Sequence, residues 1–157
     1  MKPLSMTEIM AAFDPIDRPD VVEPQLGWVP WDDMDYLAWH HPKAPQVFMV
    51  VPLPERLVGL VFRQNAGART GMCDLCHGID RTDGATLATV ESWTRPRTKY
   101  GLHVCRNFDC SDAARGHKWV YRMGETMSPG RRIERLQENL ERFVRAVTGL
   151  KAPTPVR

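Results

Sequence analysis

The chain has 157 residues, with 21 Lys and Arg against 19 Asp and Glu, five His and four Cys, for a formal net charge of +2. Its 43% hydrophobic and 25% charged residues place it with globular chains, not disordered ones. The longest apolar runs, Val47–Val51 and Leu57–Phe62, fall far short of the roughly 18 to 20 residues that span a bilayer.

Ser5-Met6-Thr7-Glu8 has the form of a capping box, so a short helix is expected over Met6–Phe13. Pro15, Pro19, Pro24 and Pro30 make residues 14–30 extended or looping. Trp31–Trp39 reads as a second short helix. Asp32, Asp33 and Asp35 would sit at its positive N-terminal end, and Pro42 would stop it. Two β-rich runs, Gln46–Leu53 and Arg56–Gln64, are joined by Pro54-Glu55 and predict an antiparallel hairpin with both strands largely buried. A flexible connection over 65–71 leads to the first cysteines, and Ala85–Trp93 and Tyr100–Cys105 form a second strand pair around the basic loop Thr94–Lys99. Ser128-Pro129 suits the start of a helix. Ile133, Leu136, Leu140, Phe143, Val144 and Val147 then recur at three- and four-residue spacing until Gly149. Such a stripe belongs to the core more often than to a partner. The prolines of Ala152–Arg157 predict a frayed tail.

The four cysteines come as Cys73-x2-Cys76 and Cys105-x4-Cys110, with 28 residues between the pairs. Two close pairs suit a tetrahedral ion, and four thiolates favour zinc while leaving no coordination position open to water. That chemistry makes the site structural. Three other readings use the same residues: a redox pair at Cys73 and Cys76, the Cys-x2-Cys-His form of a haem attachment at Cys73–His77, and a zinc site in which His77 or His103 replaces a thiol. His40, His41 and His117 lack the nucleophile and base partners that catalysis needs, and no glycine-rich phosphate loop occurs, so a non-enzymatic protein is expected.

The net charge conceals an asymmetry. Residues 1–60 carry four basic and nine acidic groups, whereas residues 61–157 carry 17 basic and 10 acidic. All four cysteines lie in the basic part, which points to a polar partner surface there. Charges that merely solvate two faces would give the same count.

Met72-Cys73-Asp74-Leu75-Cys76-His77 and Gly101–Ser111 resemble the C-terminal treble-clef zinc finger of elongation factor G-binding proteins, the fusidic-acid-resistance type of bacteria. Trp31–His40, Leu57–Arg63 and Arg131–Leu150 are similar to the shorter, actinobacterial-type members. The resemblance implies an α+β fold, with an antiparallel β-rich core, a treble-clef zinc finger and a C-terminal amphipathic helix. It implies one structural Zn2+ on Cys73, Cys76, Cys105 and Cys110. It also implies binding to elongation factor G, with release of that factor from the ribosome, in the cytoplasm. Longer members carry an N-terminal helical bundle, for which this chain has no room. The contact is expected in the basic segment Arg95–Arg122, at Arg95, Arg97, Lys99, Tyr100, Arg106, Arg115 and Lys118. The same cations could instead pair with ribosomal RNA while aromatics stack on its bases. Neither a membrane nor a small-molecule substrate is expected as partner. Ser5, Thr7 and Glu8 interrupt any export signal. Residues 1–70 form an N-terminal α+β segment, 71–150 the finger with its helix, and 151–157 a flexible tail.

Overall fold

A computed structural model describes residues 1–153. The tail expected at the C-terminus therefore lies largely outside the described residues. Helix α1 covers Met6–Ala11, and its capping box is present: the Ser5 hydroxyl accepts from the Glu8 N–H, and the Glu8 carboxylate accepts from the Ser5 N–H. The helix ends short of Phe13, which leaves it to lie along the sheet. The strands are β1 (Leu37–His40), β2 (Gln46–Pro52), β3 (Leu57–Gln64), β4 (Ala85–Glu91) and β5 (Lys99–Cys105). They form one antiparallel sheet in chain order, β1-β2-β3-β4-β5. Two further helices follow, α2 (Cys110–Arg115) and α3 (Pro129–Thr148). Among the described residues, no helix is long and apolar enough to cross a membrane.

The helix expected over Trp31–Trp39 does not form. A single 3₁₀ turn covers Trp31–Asp33, and the chain then extends into β1. The physical reason is alternation: Leu37 and Trp39 enter the apolar cluster on one face of the sheet, while Tyr36 and Ala38 enter the cluster on the other. Pairing of Leu37–His40 with Val47–Val50 satisfies a period of two. A helix would have buried only one of these faces.

β2 and β3 are buried on both sides, as continuous apolar runs require. One face carries α1 and the N-terminal loops, packed on Phe48 and Val50. Phe13 crosses β3 so closely that a Cβ on Gly59 would lie 2.6 Å from its ring, and Gly59 N–H donates to Ala12 O at 2.8 Å. Only glycine permits that approach. The other face holds Val47, Met49, Leu60 and Phe62 against α3 and the cysteine region. The stripe on α3 is seated there: Leu136, Leu140, Val144 and Val147 are buried, and Phe143 stacks on Phe62 at 5.9 Å. Ser128 caps α3 and Gly149 ends it. β3 pairs with β4, and residues from before and after position 70 pack in one apolar cluster.

Candidate metal centre

Two turns of chain bring the cysteines together. Cys73–Cys76 forms a tight knuckle in which the His77 N–H donates to Cys73 O, and the Cys73 N–H to Gly78 O, both at 2.9 Å. His77 takes a positive φ of 57° to close it. A Cβ on Gly78 would lie 2.5 Å from Val120 Cγ2, so glycine lets the chain at Val120 cover the knuckle. The β4–β5 hairpin returns the chain, Cys105 ends β5 and Cys110 opens α2. Phe108, at φ 54°, makes the turn between them, and its N–H donates to Cys105 O at 2.8 Å.

The four sulfurs lie within 4.8 Å of one another, with Cys73–Cys110 at 3.5 Å and Cys76–Cys105 at 3.6 Å. Tetrahedral zinc at about 2.3 Å from each sulfur requires sulfurs about 3.8 Å apart. A disulfide requires about 2.05 Å. The spacing therefore fits one zinc, and all four cysteines are at most 1% exposed. Hydrogen bonds from Cys105, Cys110 and Cys76 hold the Cys73 thiol well below its ordinary range, whereas those with Cys105, Cys73 and Cys76 push Cys110 up. A cluster that keeps a thiolate at Cys73 and resists forming those at Cys105 and Cys110 is what a divalent cation relieves. His77 Nε2 lies 3.3 Å from Asn139 Nδ2, and the His103 backbone pairs with Asp74.

Side chains from the rest of the fold lock both knuckles, and most of them escaped the sequence reading. Tyr36, 1% exposed, donates from its hydroxyl to Phe108 O at 2.6 Å and accepts from Cys110 N–H at 3.2 Å. Buried Asp35 accepts from Arg115 at 2.6 Å, Ser111 at 2.9 Å and Gln137 at 2.8 Å, joining α2 to α3. On the first knuckle, Arg135 donates to Cys76 O at 3.2 Å and Asn139 to Leu75 O at 2.9 Å. Lys118 reaches Asp80 and Asp109 at 2.6 Å and Asp83 at 3.2 Å, clamping the loop after one knuckle to the other.

A family described as FBP C-terminal treble-clef zinc-finger matches residues 15–147. The chain belongs to this family. Its knuckle, hairpin and helix are the family's finger, and a four-thiolate set in a zinc-finger family accounts for one structural Zn2+. No curated protein matches the sequence. Among solved structures, the fold is similar to that of the fusidic acid resistance protein FusC, with a TM-score of 0.66 at 14% identity. The match covers 94% of this chain and 60% of that one, so the chain spans about three fifths of FusC.

The expected contact residues do not converge on one surface. Arg95 and Arg97 sit in the β4–β5 turn, and Lys99 opposite Glu91 at the start of β5. Lys99 lies six strand residues, or about 20 Å, from Cys105, and the turn lies beyond it. Arg106 is exposed and Tyr100 half-buried against the core. Arg115 and Lys118 face carboxylates inside the finger. A different feature emerges on the finger. From Trp119 to Met123 the chain alternates, with Val120 and Arg122 turned inward and Trp119, Tyr121 and Met123 exposed at 73%, 36% and 69%. Tyr121 bridges to Ile79, and Ile79 to Met72, itself 45% exposed. Arg81 lies over the Tyr121 ring at 4.6 Å. Trp119 and Tyr121 fall within the basic segment Arg95–Arg122, and Met123 follows them by alternation, whereas Met72 is brought alongside only by the bridges through Ile79.

Proposed function

We propose that this chain is a non-enzymatic binding protein that recognises elongation factor G and modulates its release from the ribosome, acting in the cytoplasm. The observation that carries the reading is the exposed strip of Trp119, Tyr121, Met123 and Met72 beside Arg81 on the finger. Aromatic, methionine and arginine side chains are those enriched where proteins meet. The closed thiolate site supports a scaffolding role, because it leaves no position for substrate or water. The chain would act by preferring one conformation of the factor, shifting its population away from the ribosome-bound state. A contact that also takes in Arg95, Arg97, Lys99, Tyr100 and Arg106 would have to extend about 20 Å from the finger along the β4–β5 hairpin, while Arg115 and Lys118 hold the finger in shape. A protein partner is favoured over ribosomal RNA, because two of the six cations proposed for contact already neutralise buried carboxylates.

Calorimetry of the purified chain with purified elongation factor G tests the proposal. Binding is expected, and Trp119→Ala or Tyr121→Ala should weaken it at least about tenfold, as loss of an aromatic anchor does, with zinc content unchanged. Absence of binding, or affinity indifferent to both variants, sinks it. A complex formed only with ribosomal RNA and weakening steeply with salt would shift the function to nucleic acid.

A further inference from the structure

β1 is an edge strand, and among the described residues β2 is its only partner. His41 N–H donates to Gln46 O at 2.9 Å in continuation of the same register, so the backbone polar groups of Leu37 and Trp39 turn towards β2. Those of Ala38 and His40 turn outward, and they have no protein partner among the described residues. The opposite edge of the sheet is treated differently. At β5, Asp74 occupies the outward groups of His103: its N–H donates to His103 O and its carboxylate accepts from His103 N–H, both at 2.7 Å. A free edge is a template for another strand.

Beside the free edge lies a groove of about 630 Å³ between residues 22–30 and β1. Leu37 and Trp39 line it from one face of the strand and Ala38 and His40 from the other. Trp39 anchors the loop by donating from its indole to Val22 O at 2.7 Å. At the rim, Trp28 is 98% exposed. A tryptophan so placed contributes nothing to the core, and exposed aromatic side chains anchor partners. The charge around the groove is acidic. Glu23 lines it and Asp32 and Asp33 follow Pro30, all exposed, against Lys43 just beyond Pro42 and the Met1 ammonium, which is engaged by Trp31 O and Met34 O. Negative charge repels a phosphate backbone and attracts a basic polypeptide.

We propose that the outer edge of β1 and the Trp28 groove take an extended polypeptide segment bearing Lys and Arg, which joins the sheet as a sixth strand. Backbone hydrogen bonds to Ala38 and His40 supply the pairing. Trp28 packs on the segment's apolar residues, and Glu23, Asp32 and Asp33 select its charge. This site lies apart from the finger strip and does not depend on elongation factor G being the partner there.

The full chain screened against phage-displayed random peptides tests the proposal, with the selected peptides then synthesised and titrated by calorimetry and NMR. Selection should yield Lys- and Arg-rich peptides with alternating apolar residues. Their binding should slow amide exchange at Ala38 and His40, and Trp28→Ala should weaken it at least about tenfold. Ala38→Pro removes an N–H that faces away from β2, a position where an edge strand tolerates proline, and should abolish binding. Trp119→Ala should leave it unchanged. If Ala38→Pro does not fold, the exchange rates at the two amides decide. No enrichment, acidic peptides, binding indifferent to Trp28→Ala, or preference for an oligouridine RNA would each overturn the proposal.

Discussion

Lys118 carries one positive charge among Asp80, Asp83 and Asp109, of which Asp80 is only 3% exposed. Burial acts against the charge on Asp80, but the Lys118 ammonium and the N–H groups of Thr82 and Asp83 outweigh it and hold the carboxyl below its usual range. A carboxyl lowered in the folded state stabilises the protein above the unfolded value near about 3.9, and this contribution is lost as pH falls through the folded value. Asp80→Asn is therefore expected to cost about 1–3 kcal/mol at pH 7. The gap to wild type should close as pH drops below about 4. Urea unfolding of both proteins across that range measures it, and a gap independent of pH would remove the carboxylate from the account. The sequence marked Lys118 as a cation for a partner. Its three aspartates are 9 to 38 residues away in the chain, and no local pattern announces that they will meet.

Tyr36 works at the scale of elements. It stands just before β1 and ties that strand to the turn between Cys105 and Cys110. Tyr36→Phe leaves a buried carbonyl and a buried N–H unpaired, and should cost about 1–3 kcal/mol. It should also quicken zinc transfer to a chelator, followed with a metallochromic dye; an unchanged rate would mean that the hydroxyl does not hold the knuckle. The same stretch explains the one element misread from sequence. Three aspartates after a proline and tryptophan resemble a helix start, but Leu37 and Trp39 need one face of a sheet while Tyr36 and Ala38 need the other. Pairing with β2 decided the outcome, and β2 lies beyond Pro42. The β2–β3 hairpin and α3 were legible because their patterns are long: two continuous apolar runs across a short turn, and a stripe sustained over a 20-residue helix.

For the whole molecule, zinc and the apolar core act on the same residues. The four cysteines belong to the cluster that also holds Leu60, Val104, Leu136 and Val144. Binding energy of structural zinc, about 10–16 kcal/mol in isolated fingers, therefore stabilises the packing of α2 and α3 as well as the knuckles. Cys105→Ser should lose stoichiometric zinc by metal analysis and, with it, the cooperative thermal transition. A variant free of zinc that melts like wild type would show that the core stands without the ion. Cobalt substitution offers an independent check, since four thiolates give an intense visible band that a histidine-containing site would shift.

The sequence by itself determined the two cysteine pairs, the β2–β3 and β4–β5 hairpins and the apolar face of α3. Each of these is written in short spacings whose geometry follows from local chain dimensions. The clustering of all four sulfurs in the fold then selected zinc among the readings the cysteines allowed. Only the tertiary structure decided what the charges do. Arg115 and Lys118 turned inward because buried Asp35 and Asp80 from distant segments required partners, while Arg95 and Arg97 were carried to the far end of a hairpin from the zinc. A count of charge along the chain sums residues that folding separates. A surface is chosen by which carboxylates the fold buries, and that depends on contacts between residues far apart in sequence.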